Sequence, residues 1–179
     1  MRLWGPTVLF AVLLGPVASV RAGTPAEAWT PRTPEAAAWD LDRILRHYLA
    51  AWGKSRVLVV GYSFGADVAP FLLSRLPAQT RSRVAGLGLI GPSKTAAFEF
   101  HVMSWLGGGG EARYSTVREI ERLTGQRVTC IHGTEESDSA CLDLAPAAAH
   151  VVSLPGGHHF GGDYERLAEV LLDSAEAGS

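Results

Sequence analysis

The sequence predicts a mostly parallel α/β sheet of about four strands with helices flanking it. Three observations carry this. Short apolar runs, several rich in Val and Ile, recur along the chain and read as strands buried on both faces. Stretches with apolar residues three and four apart lie among them and read as amphipathic helices. The alternation of the two is the pattern of a parallel sheet. The chain has 179 residues, of which 47% are hydrophobic and 19% charged. That suits one domain with a core and excludes a disordered tail. The 20 glycines follow no triplet period and there are only 2 cysteines, which excludes collagen-like and disulfide-dense scaffolds. A formal net charge of −2 gives no support to direct nucleic-acid binding through phosphate neutralisation.

In chain order, residues 1–22 read as a secretory signal peptide. Arg2 supplies the positive start, an apolar stretch follows, and Val20 and Ala22 are small residues at the −3 and −1 positions of a cleavage site before Gly23. The competing reading is an uncleaved anchor, but Gly15 and Pro16 interrupt the apolar run. Cleavage would remove Arg2 and Arg21 and shift the net charge from −2 to −4. Residues 23–32 are a flexible lead-in, and a partial α/β domain is expected over 33–175. Thr33 is the candidate N-cap of the first helix, with Pro34 at its first position and Gly53 closing it. Ala37, Leu41, Ile44, Leu45, Tyr48, Leu49 and Trp52 mark its apolar positions. Strands are expected at 56–60, 84–90, 128–132 and 150–154, and helices at 65–76 and 164–172. Residues 107–110 are four glycines and read as a joint. No repeat is visible.

The chemistry concentrates at Gly61-Tyr62-Ser63-Phe64-Gly65, a G-x-S-x-G pattern between a predicted strand and a predicted helix. The turn must be tight, and the two glycines leave room where side chains would collide. Ser63 would stand in strained backbone above the sheet as a nucleophile, and the Phe64 N–H would serve a developing oxyanion. A serine needs a base. His158 and His159 follow Pro155-Gly156-Gly157 in the loop after the last strand, where parallel sheets gather reactive groups. His158 is the expected base and His159 the alternative; His47, His101, His132 and His150 fall in helix, lid-like or strand positions. The base needs an acid. The loop after the third strand offers Asp138 as first choice, with Glu135, Glu136 and Asp143 as competitors. Asp67 reads as a charge at a helix N-terminus. Cys130 and Cys141 can pair only with each other, and a bridge between them would tether the acid loop in an oxidising compartment; two buried thiols are the other reading. No spacing suggests a metal site, and no cofactor is implied.

These residues together resemble the bacterial VirJ family of virulence proteins, which includes the C-terminal domain of AcvB. The resemblance runs from about Arg32 to Leu172. It rests on Arg32-Thr33-Pro34-Glu35, on residues 61–68, on Ala97-Phe98-Glu99-Phe100-His101-Val102 with Trp105-Leu106-Gly107, on the acidic loop 133–141 and on residues 154–164. It implies an exported, periplasmic α/β-hydrolase-like domain with a Ser63–Asp138–His158 triad. It further implies hydrolysis of an aminoacyl ester of a membrane phospholipid, of the lysyl-phosphatidylglycerol kind, at a membrane surface, and an association with type IV secretion proteins.

The sequence departs from the family pattern in one place. Family members carry two strands and a glycine-rich loop before the Arg-Thr-Pro-Glu segment, and residues 23–32 contain no such loop. The expectation is a domain short of its N-terminal strands, with one edge of strand 56–60 open. The absent loop would also supply a second oxyanion N–H, worth typically about 10²–10³ in rate. The alternative function is therefore a catalytically impaired binding component of an envelope assembly, using that edge for strand addition. A third reading is a hydrolase of small soluble esters or thioesters. The apolar residues 98–106 serve either as a lipid-facing lid or as core.

Overall fold

The computed structural model describes residues 8–14, 33–96 and 114–176. The rest of residues 1–22, read above as a leader, residues 23–32, the segment 98–106 with His101 and the glycines 107–110 lie outside the described residues.

Helix α1 spans Pro34–Ala51. Thr33 caps it as its residue type suggests, its hydroxyl accepting from the Ala36 N–H at 3.2 Å. Gly53 closes it at φ +58°, a conformation that glycine adopts without steric cost. The face that α1 buries is Ala38, Leu41, Leu45 and Leu49. Ile44, Tyr48 and Trp52 share the helical period, yet they lie on its solvent flank.

The four predicted strands all form. They are β2 (Arg56–Tyr62), β3 (Val84–Ile90), β6 (Val128–Gly133) and β7 (His150–Leu154). A fifth, β1 (Val8–Leu14), lies at the sheet edge. The order is β1-β2-β3-β6-β7, and every pair is parallel. The edge of β2 expected to be open is therefore covered. Val8–Leu14 runs beside Arg56–Tyr62 in continuous register. The physical reason is plain: a leader's apolar core and a strand of a parallel sheet can both be uninterrupted apolar runs.

Alternation along β2 separates two cores. Val57 and Val59 pack with α1 and with α2 (Phe64–Ser74) on one face. Leu58 and Val60 pack on the other with Leu167 and Leu171 of α5 (Tyr164–Glu176). Shorter elements complete the chain: α3 (Ala78–Arg81), α4 (Thr116–Glu121) and an antiparallel pair of β4 (Thr95–Ala96) with β5 (Tyr114–Ser115). A polar tie joins three helices. Arg75, the C-cap of α2, reaches Glu35 of α1 at 2.8 Å and the buried Glu119 of α4 at 2.9 Å. Cys130 of β6 and Cys141 are joined in a disulfide, so the acid-bearing loop between them is tethered at both ends.

Candidate active site

Ser63 sits between β2 and α2 with φ 52° and ψ −123°, backbone that only glycine adopts without cost. Its N–H donates to the Ile90 carbonyl at 2.9 Å, and its carbonyl accepts from Ala66 at 2.8 Å and Asp67 at 3.1 Å. These bonds hold the strain. Gly61 is required by close approach: a Cβ there would stand 2.5 Å from the Gly65 carbonyl carbon and 2.7 Å from the Ala66 Cα. Phe64 opens α2, so its N–H lies at the helix N-terminus beside the serine.

A cavity of about 500 Å³ opens at the C-terminal ends of the strands. Ser63, Ser93, Glu135, Glu136, Asp138 and His158 are among the residues that line it. His158 is the histidine brought there with a carboxylate partner, its Nδ1 lying 2.7 Å from Glu136 Oε1. The carboxylate that reaches His158 is thus Glu136, while Asp138, the first choice of the sequence reading, lines the same cavity and bonds to neither His158 nor His159 among the described residues. The reason lies in the loop's turn. The Glu136 N–H donates to Gly133 O at 3.0 Å, and the Gly133 N–H donates to Glu136 Oε2 at 2.7 Å. Glu136 is folded back under the histidine, while Asp138 lies farther along the loop. With Nδ1–H donated to Glu136, His158 Nε2 is left as the acceptor a serine proton needs.

The remaining candidates are accounted for. His159 Nδ1 is engaged by the Tyr62 hydroxyl at 2.9 Å. His132 is buried, with Nδ1 at 3.0 Å from the Gly133 carbonyl oxygen. His47 packs edge-on to Tyr48, and His150 lies exposed in β7. Asp143 pairs with Lys94 at 2.8 Å. Gly133 and Gly91 make room for the histidine loop. A Cβ on Gly133 would stand 2.5 Å from the Gly157 carbonyl oxygen, and one on Gly91 would stand 2.7 Å from His158 Cε1.

Asp67 is more than a helix-end charge. It is 7% exposed and accepts from the Ser93 N–H at 2.6 Å, bracing a cavity-lining loop from α2. Burial pushes its carboxyl up to about 6, against hydrogen bonds from Ser93 and the charge of His158, both of which favour the anion. Between the unfolded value near 3.8 and about 6, the folded state keeps a proton that the unfolded chain has released. Stability contributed at this site is therefore full below that window and falls as pH rises through it. Asp67→Asn keeps the acceptor for Ser93 but cannot ionise. Urea unfolding should show the variant gaining about 1–3 kcal/mol on the wild type between pH 4 and pH 7. A difference that stays flat across that range would count against this assignment.

A strained serine on a strand-to-helix turn, sharing a cavity with a histidine–carboxylate pair at one rim of a parallel sheet, defines a protein of the α/β-hydrolase fold. Solved structures agree on the fold. Human thioesterase 2 matches with a TM-score of 0.57 and 12% identity, covering 97% of this chain and 97% of that one. The esterase EaEST from Exiguobacterium antarcticum matches with a TM-score of 0.54 and 13% identity, over 82% of this chain and 75% of its own. Proline iminopeptidase from Mycobacterium smegmatis gives 0.53 and 13%, over 87% and 76%. A search of curated proteins returned no match. The family model described as bacterial virulence protein (VirJ) matches residues 20–178, and the chain belongs to that family.

Proposed function

We propose that this chain is a serine hydrolase of esters, acting in the periplasm on an aminoacyl ester of a membrane phospholipid. The observation that carries the reading is the site itself: Ser63 and the His158–Glu136 pair line one cavity. Ser63 Oγ attacks the ester carbonyl while His158 Nε2 takes its proton. The oxyanion forms beside the Phe64 N–H. The imidazolium, steadied by Glu136, returns the proton to the departing alcohol. Water then attacks the acyl-serine with His158 again as base, releasing the acid and restoring the serine.

The ester class is supported by an esterase and a thioesterase among the matching folds. The aminoacyl class is supported by family membership and by Glu135 and Asp138, cavity carboxylates suited to face a substrate ammonium group. Export is supported by the leader-like residues 1–22 and by the disulfide, which suits an oxidising compartment. Cleavage after Ala22 would take β1 away and reopen the edge of β2.

A fluorophosphonate probe should label Ser63 in the folded full chain, and Ser63→Ala should remove the label. The chain should also release lysine from lysyl-phosphatidylglycerol vesicles. Labelling without lysine release would keep the hydrolase and overturn the lipid substrate. A folded wild type that takes no label would overturn the hydrolase and leave the envelope-binding reading in its place.

A further inference from the structure

We infer that the Tyr62 hydroxyl is a positioning group that fixes the histidine loop over the nucleophile turn, with His159 serving it as a donor in the Nδ1–H tautomer. Tyr62 is the last residue of β2 and the neighbour of Ser63. Its Oη lies 3.2 Å from the His158 carbonyl oxygen and 2.9 Å from His159 Nδ1. A phenol has one hydrogen, and a carbonyl can only accept. Both contacts are hydrogen bonds only if the Tyr62 hydrogen goes to the His158 carbonyl and His159 Nδ1 donates to the hydroxyl oxygen. Burial first, then the neighbouring Tyr164 and Glu136, raise the Tyr62 hydroxyl above its ordinary value, which favours the protonated phenol.

The tether adds to the bonds that hold the loop in left-handed backbone, Phe160 N–H to the Gly157 carbonyl and Gly162 N–H to the His159 carbonyl, each at 2.9 Å. Gly156, Gly161 and Gly162 all sit at positive φ, and Phe160 does so at 53°. Tyr62 holds it at two levels. The hydroxyl grips the backbone of the base, and its ring lies 5.3 Å from the His158 ring, tilted by 31°. Glu136 fixes the other side of that ring through Nδ1. His158 and His159 thus divide the work: one exchanges protons with the serine, the other secures the loop.

The effect on rate rests on the hydrolase reading; the tautomer does not. Tyr62→Phe keeps the ring and removes the hydroxyl. In the full chain it should slow fluorophosphonate labelling of Ser63 by about tenfold or more, because a small displacement of the base is costly. It should lower kcat on a soluble ester while leaving KM nearly unchanged. His159→Ala should match it, and the double variant should be no slower than either, since the residues act as one unit. His159→Asn, whose amide nitrogen can stand where Nδ1–H stands, should recover most of the rate. Imidazole ¹⁵N spectra should report His159 protonated at Nδ1 in the wild type and no longer so in Tyr62→Phe. Labelling of Tyr62→Phe at the wild-type rate, or a wild-type His159 protonated at Nε2 alone, would overturn the proposal. If the wild type takes no label, the hydrolase reading fails on its own and the imidazole spectrum still decides the clamp.

Discussion

Glu136→Gln should slow fluorophosphonate labelling of Ser63 by about 10³–10⁴-fold, the scale seen when a triad acid is made neutral. The substitution is nearly isosteric, so its effect comes from proton bookkeeping. In the native site Glu136 Oε1 accepts from His158 Nδ1 and Oε2 accepts from the Gly133 N–H. A glutamine has one acceptor oxygen and one NH₂. The Gly133 N–H can only donate, so it claims the oxygen and turns the NH₂ toward His158. Nδ1 must then accept, the ring proton moves to Nε2, and the atom that should take the serine proton already carries one. Asp138→Asn, by contrast, should stay within a few-fold of the wild type, because that carboxylate orients no imidazole. Circular dichroism would confirm that both variants are folded. If Asp138→Asn proves the more damaging of the two, the acid has been misassigned.

The contrast between Glu136 and Asp138 also shows how far the residues alone could carry the reading. The strand at 84–90 is legible to the residue because a buried parallel strand is a continuous apolar run with clear ends. The Ser63 turn is legible because its glycines answer a close backbone approach that spacing alone encodes. The acid is different. Three carboxylates fall within four positions of one loop, with no period to sort them, and which one reaches the histidine depends on the turn from Gly133 to Glu136. A glycine at a strand end followed three residues on by Glu was the available signal. The sequence orders His158 before His159 on loop context alone, and the structure pairs His158 with Glu136 and His159 with Tyr62. In α1 the period placed the helix correctly, yet it could not show that Ile44, Tyr48 and Trp52 face solvent. Elements such as α3 and the β4–β5 pair are shorter than any window in which a period can emerge. Residues 8–14 are read in the sequence as leader or anchor and not as a strand, for the opposite reason. Their pattern is strong, but a secretory leader and an edge strand demand the same one.

Gly61→Ala should cost about 3 kcal/mol or more in stability and at least about 10²-fold in labelling of Ser63. The added methyl would meet the Gly65 carbonyl oxygen and carbon and the Ala66 Cα, all of them backbone in the first turn of α2. None is the free end of a side chain that could swing aside. Relief requires either that α2 move off the sheet or that the end of β2 part from β3. The first breaks the bonds that Ala66 and Asp67 donate to Ser63 O, and the second breaks the one from Ser63 N–H to Ile90 O. Either way the backbone at φ 52° loses what holds it, and the hydroxyl leaves its place. Gly53→Ala is the fitting control. Gly53, unlike Gly61, has a positive φ, +58°, and nothing lies within 4 Å of the site its Cβ would take. That variant carries only the left-handed penalty, about 1–2 kcal/mol, and its labelling should be unchanged. Urea midpoints for the two variants therefore separate backbone conformation from crowding. If Gly61→Ala unfolds no more readily than Gly53→Ala, α2 can yield at its first turn, and the tightness assigned to the elbow is wrong.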